Sequence, residues 1–151
     1  VLRVPLLWRW PKGLPAGITC DAAIEHVDVV PTLLELADLP AAEGLHGASR
    51  AQALSDGAGE DEDDESYAVY SGSGRFFFSV RAYRRGSWQY VYAPHGGHEM
   101  YNLASDPEER VNLVADETCA AARRELRAQM VEAMRRRGDP LAGMAAGDFA
   151  E

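Results

Sequence analysis

The 151 residues are 46% apolar and 26% charged, the balance of a folded globular chain rather than a disordered one. No apolar run reaches the roughly 18 residues of a membrane span. A net charge of −9 argues against nucleic acid, whose binders neutralise phosphates with cations. The charge is local: residues 55–66 hold seven acids and no base, leaving 17 acids against 15 bases elsewhere. Fourteen of those bases are Arg, and Lys12 is the only Lys. Cys20 and Cys119 stand 99 residues apart, neither a disulfide framework nor a zinc spacing. With Val first and no signal-type segment, the chain reads as a piece of a longer polypeptide.

In chain order, the apolar run 1–10 predicts a strand buried on both faces, as in a parallel sheet covered by helices. Pro11, Gly13, Pro15 and Gly17 then impose a loop. Asp28 is placed to cap a helix with Pro31 in its first turn, Val30, Leu33, Leu34 and Ala37 follow at helical spacing, and Pro40 ends it. The acid run beyond is expected to be a solvated loop, since EDEDDE lacks the alternating ligands and glycine of a calcium loop. Three strands follow at Tyr67–Ser71, Phe76–Tyr83 and Trp88–Tyr92, with a short fourth at Glu99–Leu103. In the third, Trp88, Tyr90 and Tyr92 share one face, Gln89 and Val91 the other. Asp106-Pro107-Glu108-Glu109 has the pattern of a helix start. A longer helix is expected over about 117–137, with Ala122, Leu126, Met130 and Met134 as its apolar stripe. Residues 143–151 read as a frayed tail.

This pattern gives an α/β fragment, one edge strand and its helix, over 1–50. An acidic linker follows at 51–66. Residues 67–140 form a small α+β subdomain whose antiparallel sheet is covered by the C-terminal helix, and 141–151 is the tail.

Little in the sequence can do chemistry. His95 and His98 share the turn PHGGHE with Glu99, but two imidazoles and a carboxylate on a loop lack the further ligands of a closed metal site. Contact with an anionic substrate suits the pair better, since an imidazole donates hydrogen bonds to anionic oxygens. His26 and Asp28 could pair as base and orienter, although Asp28 is better used as the cap. No GxSxG elbow, phosphate-binding glycine loop or paired metal-binding Asp is present, so no catalytic or metal residue is assigned.

Five segments, in order, resemble the last third of sulfatases of the alkaline phosphatase superfamily. RVPLLWRWPKGLPAG resembles a strand and loop of that family, HVDVVPTLLELADLP the helix that follows, and GLHGAS the segment before its variable linker. SVR with WQYVY, and EMYNLASDPEERVNL, are similar to its closing strands and turn. Asp38 stands where the family usually has Gly, Gln89 where Lys is common, and Asn102 where Asp is common. The resemblance implies a hydrolase of sulfate esters, taking a sulfated small molecule or glycan. Its nucleophile would be a formylglycine made in a C/S-x-P/A-x-R motif, beside a calcium held by Asp and Asn. In the family those groups lie upstream, so this segment would complete the fold and border the cleft, with the missing N-terminal portion as its partner. His95 and His98 are then candidates for the substrate rim. Cys119-Ala120-Ala121-Ala122-Arg123 satisfies C-x-A-x-R literally, but its place at the start of a late helix rejects it. A phosphonate or phosphodiester hydrolase of the same superfamily is the alternative, and a non-catalytic remnant or interaction module the third reading.

Overall fold

A computed structural model describes residues 4–57, 65–72, 79–94 and 96–150. The chain divides into two units, 1–64 and 65–151.

In the first unit a 3-10 turn at His26–Asp28 runs into α1 (Val29–Leu36), and α2 spans Ala51–Asp56 within the segment read as a linker. Asp28 does not act as a simple cap. It is buried, and its carboxylate accepts the Glu25 N–H (3.0 Å), the Ala48 N–H (2.8 Å) and the Arg50 Nε–H (3.2 Å). Thr32 Oγ1 donates to the Asp28 carbonyl and accepts the Arg50 N–H at 2.9 Å. One helix start thus holds the GLHGASR segment, and the approach is close. A Cβ at Gly47 would lie 2.1 Å from the Val27 carbonyl oxygen, which is why the position is Gly. At the other end of α1, Leu39 N–H bonds the Leu34 carbonyl and Asp38 N–H the Glu35 carbonyl, a Schellman closure. Asp38 sits there at φ 55°, a left-handed conformation that Gly adopts more freely than Asp.

The strand expected over 1–10 is not formed across the described residues 4–10. A strand exists only through a partner's backbone, and among the described residues of this unit no strand is available. Leu7 is left 93% exposed.

The second unit is an antiparallel meander of β1 (Glu65–Ser71), β2 (Ser79–Arg85), β3 (Trp88–Tyr92) and β4 (Glu99–Asn102), in spatial order β1-β2-β3-β4. The register sets Tyr67 opposite Tyr83, Tyr83 opposite Tyr90, and Tyr90 opposite Met100. These side chains therefore share one face, as the alternation predicts. The expected strand residues Phe76–Phe78 lie outside the described residues.

Helix α3 (Ala120–Arg136), entered through a 3-10 turn at Glu117–Cys119, covers that face. Leu126, Met130, Ala133 and Met134 pack with Tyr83, Tyr90, Tyr92 and Met100, all almost fully buried. The tail is not frayed. Residues Ala142–Asp148 form α4, with Ala145 fully buried in the same core and Phe149 packed against it. An alanine-rich helix too short to be stable alone is held by this burial. Between sheet and helices lies a buried ion pair: Arg81 Nε donates to Asp139 Oδ2 at 2.7 Å, with Tyr67 OH on the same oxygen at 2.8 Å.

Asp106 starts no helix. Glu109 takes φ 55°, which stops the chain after a single turn, and Asp106 Oδ2 instead accepts the Val111 N–H at 2.8 Å. Among the described residues, no helix is long and apolar enough to cross a membrane.

Candidate functional site

The turn joining β3 to β4 is built from glycines because its backbone requires them: Gly96 and Gly97 have φ of 93° and 82°. Open space surrounds both, since a Cβ on either would meet nothing within 4 Å. His95 lies outside the described residues. His98 is half-buried, and its Nδ1 accepts the Ala93 N–H at 3.2 Å. With Nδ1 accepting, the proton of the neutral ring resides on Nε2. Asn112 fixes the backbone behind it. Its Nδ2 donates to the His98 carbonyl at 3.2 Å, while its Oδ1 accepts the Met100 and Val114 N–H groups at 3.0 Å each. The Asn of the RVNL segment therefore ties the chain beyond β4 to the turn.

Four aromatic or charged side chains surround the imidazole. Tyr92 stacks on it at 5.3 Å and 11° between planes, and Tyr90 lies 6.1 Å away. Phe149 meets it edge-on at 6.1 Å. Arg127 lies over the Tyr90 and Phe149 rings, and its Nε–H donates to Tyr90 OH at 2.9 Å. Burial lowers the His98 pKa from its ordinary 6.5, and the Arg127 charge lowers it further against a smaller opposing effect of Asp148. The ring is therefore neutral at pH 7. Tyr92 donates to Asp148 at 2.6 Å, and burial and that carboxylate raise its pKa, keeping the phenol protonated.

Other candidate groupings are not assembled. Glu99 begins β4 and shares a face with Tyr101, whose hydroxyl donates to it at 3.0 Å; burial and this carboxylate push the phenol up to about 12. It therefore makes no triad with His98. The Asp28 carboxylate is taken up by the Glu25 and Ala48 N–H groups and Arg50, and does not orient His26. Cys119 is partly buried against the core at the start of α3. The nearby Arg123 is turned away to the Asp116 carbonyl (3.0 Å) and Glu117. No three His, Cys, Asp or Glu converge to hold a metal among the described residues.

What the sequence did not disclose are the supports of His98 from far along the chain: Arg127, Asp148 and Phe149. The single aromatic in an otherwise small and polar tail was the available signal, because a lone Phe there has only a core to dock into.

Residues 1–136 match the family model described as N-sulphoglucosamine sulphohydrolase, C-terminal. The chain is 27% identical over 140 residues to the uncharacterized sulfatase YidJ of Escherichia coli K12, covering 93% of this chain and 28% of the relative. It is 28% identical over 131 residues to an N-acetylglucosamine-6-O-sulfatase of Bacteroides thetaiotaomicron, covering 82% and 23%. A protein solved in complex with its substrate D-glucosamine-2-N,6-O-disulfate has the same fold, with TM-score 0.77 and 24% identity over 87% of this chain and 28% of that one. The chain thus spans about a quarter of the length of these curated relatives.

Proposed function

The chain belongs to the N-sulphoglucosamine sulphohydrolase C-terminal family, and from that premise we propose that it forms the C-terminal part of a sulfatase acting on sulfated glucosamine or a related glycan. The observation that carries this reading is the family match over 1–136, continuous through both units. The fold shared with a protein holding a disulfated glucosamine supports the substrate class.

Within such an enzyme these residues do not carry the chemistry at sulfur. The resemblance assigns that to a formylglycine and a calcium ion. In that resemblance both groups lie upstream of the segment matched here, and no three His, Cys, Asp or Glu converge on a metal among the described residues. The role proposed for this chain is to complete the fold and border the substrate through the turn that carries His95 and His98. A neutral imidazole with Nδ1 occupied offers a single Nε2–H donor, suited to a sulfate or hydroxyl oxygen and unsuited to general-base catalysis from Nδ1.

The test begins with the reading frame that contains the Val1 codon. A frame encoding C/S-x-P/A-x-R and metal-binding acids upstream supports the reading, and a stop codon without them removes it. In the expressed enzyme, His95→Ala with His98→Ala should change the kcat/KM ratio between two sulfate esters about 3- to 10-fold, the worth of one or two hydrogen bonds. Identical ratios across several esters would retire the rim assignment. Faster turnover of a phosphonate monoester than of any sulfate ester would move the chain to the sister activity.

A further inference from the structure

Helix α4 and the residue after it lie beyond the residues matched by the family model, yet Phe149 packs against His98 and Asp148 bonds the Tyr92 ring that stacks on it. Phe149, the residue after the last turn of α4, presents its ring edge-on to three others. These are Tyr90 (5.4 Å, 87°), Tyr92 (5.4 Å, 78°) and His98 (6.1 Å, 68°). Asp148 accepts the Tyr92 hydroxyl at 2.6 Å, and Tyr92 is the ring stacked flat on His98.

We propose that Asp148 and Phe149 are positioning residues for His98, so that α4 sets how the imidazole Nε2–H meets substrate and thereby which sulfated ester is preferred. This rests on the reading that the His95–His98 turn borders the substrate. The physical need is plain from the turn itself. Its two glycines contribute no side chains, and open space surrounds them. A single 3.2 Å hydrogen bond to Nδ1 does not fix the plane of a ring, because rotation about the last side-chain torsion is soft. The plane is fixed by a slab and an edge: Tyr92 against one face and Phe149 across the other direction. Asp148 holds the slab in turn. Arg127, over both Tyr90 and Phe149, links α3 to the same cluster. Remove Phe149 or the Tyr92 anchor, and the ring can turn over. Nδ1 then leaves the Ala93 N–H, nothing holds the proton on Nε2, and the donor no longer points one way.

The experiment uses the whole sulfatase with 15N-labelled histidine. The variants are Phe149→Ala, Phe149→Tyr, Asp148→Ala, Asp148→Asn and His98→Ala, each with kcat and KM for two sulfate esters and the His98 ring nitrogen shifts. Phe149→Tyr keeps the ring, and Asp148→Asn keeps an acceptor for Tyr92. We expect Phe149→Ala and Asp148→Ala to raise KM for the preferred ester about 3- to 10-fold with kcat nearly unchanged, the scale of one misdirected hydrogen bond. The His98 nitrogens should shift from a single Nε2-protonated form to a mixture. The Tyr and Asn variants should restore both readouts, and in the His98→Ala background neither change should matter further. Should Phe149→Ala fail to fold, Asp148→Ala carries the same test with a smaller loss of packing. His98→Ala raising KM while the α4 variants leave KM and the nitrogen shifts unaltered overturns the positioning role and spares the rim reading. His98→Ala without kinetic effect overturns the rim reading and with it the claim on preference, whatever the nitrogen shifts do.

Discussion

Replacing Asp139 by Ala probes the joint between sheet and helices. Its Oδ2 takes Arg81 Nε at 2.7 Å and Tyr67 OH at 2.8 Å. Its Oδ1 takes the second Arg81 nitrogen at 3.2 Å and the Leu141 N–H at 2.8 Å. The two charged side chains are only 5% and 6% exposed. Alanine therefore strands a guanidinium out of water and also leaves a phenol and the N–H before α4 without their acceptor. Breaking one side of a buried pair costs about 3–5 kcal/mol, several times the worth of a surface pair. Urea unfolding followed through Trp88 fluorescence should show that loss. Arg81→Met with Asp139→Leu should recover much of it, since the charge is then gone rather than abandoned. A loss below about 1 kcal/mol for Asp139→Ala would place the pair in solvent and refute the reasoning. The acid limb gives a second check. Burial would raise the Asp139 pKa, but Arg81, the Leu141 N–H and Tyr67 together hold it below its ordinary 3.8. A depressed folded pKa means stability present above 3.8 and lost as pH falls through the folded value, a loss that Asp139→Leu with Arg81→Met should abolish.

Three further outcomes are expected. Asp38→Gly should stabilise the first unit by about 0.5–1 kcal/mol, measured by thermal melting, because Asp38 holds φ 55° in a helix closure that Gly enters freely. The His98 pKa is depressed, so its contribution to stability is full above 6.5 and falls as pH drops below that value; His98→Gln should flatten the pH dependence of the melting temperature there. Cys119→Ala should leave turnover of the complete enzyme within two-fold, since the C-x-A-x-R match lies against the helix-packed core; a dead enzyme would reverse that assignment.

The second unit was readable because its signals are local and redundant. Trp88, Tyr90 and Tyr92 alternate, Leu126, Met130 and Met134 repeat at helical spacing, and the two sets meet as expected. Elsewhere sequence reasoning failed where the partner is remote. Residues 4–10 have the composition of a buried strand, but composition cannot provide the neighbour that makes one. Asp28 looks like a cap locally, and only the fold reveals its bonds to Ala48 and Arg50 twenty residues on. Asp106-Pro107 carries a helix signature that Glu109 cancels with one backbone angle. For the candidate site, the turn was found and its supports were not. His98 stood out by its residue type and its Gly-Gly neighbours, whereas Asp148 and Phe149 sit in a segment whose glycines and alanines read as a tail until Phe149 is seen among three rings.

The most direct measurement is release of inorganic sulfate from a 6-O-sulfated glucosamine, by the protein of the complete reading frame and by residues 1–151 alone, side by side. Turnover is expected from the complete protein and none from the 151 residues. Sulfate release by residues 1–151 alone, or a complete, folded protein that releases none from this or any other sulfate ester, would contradict it.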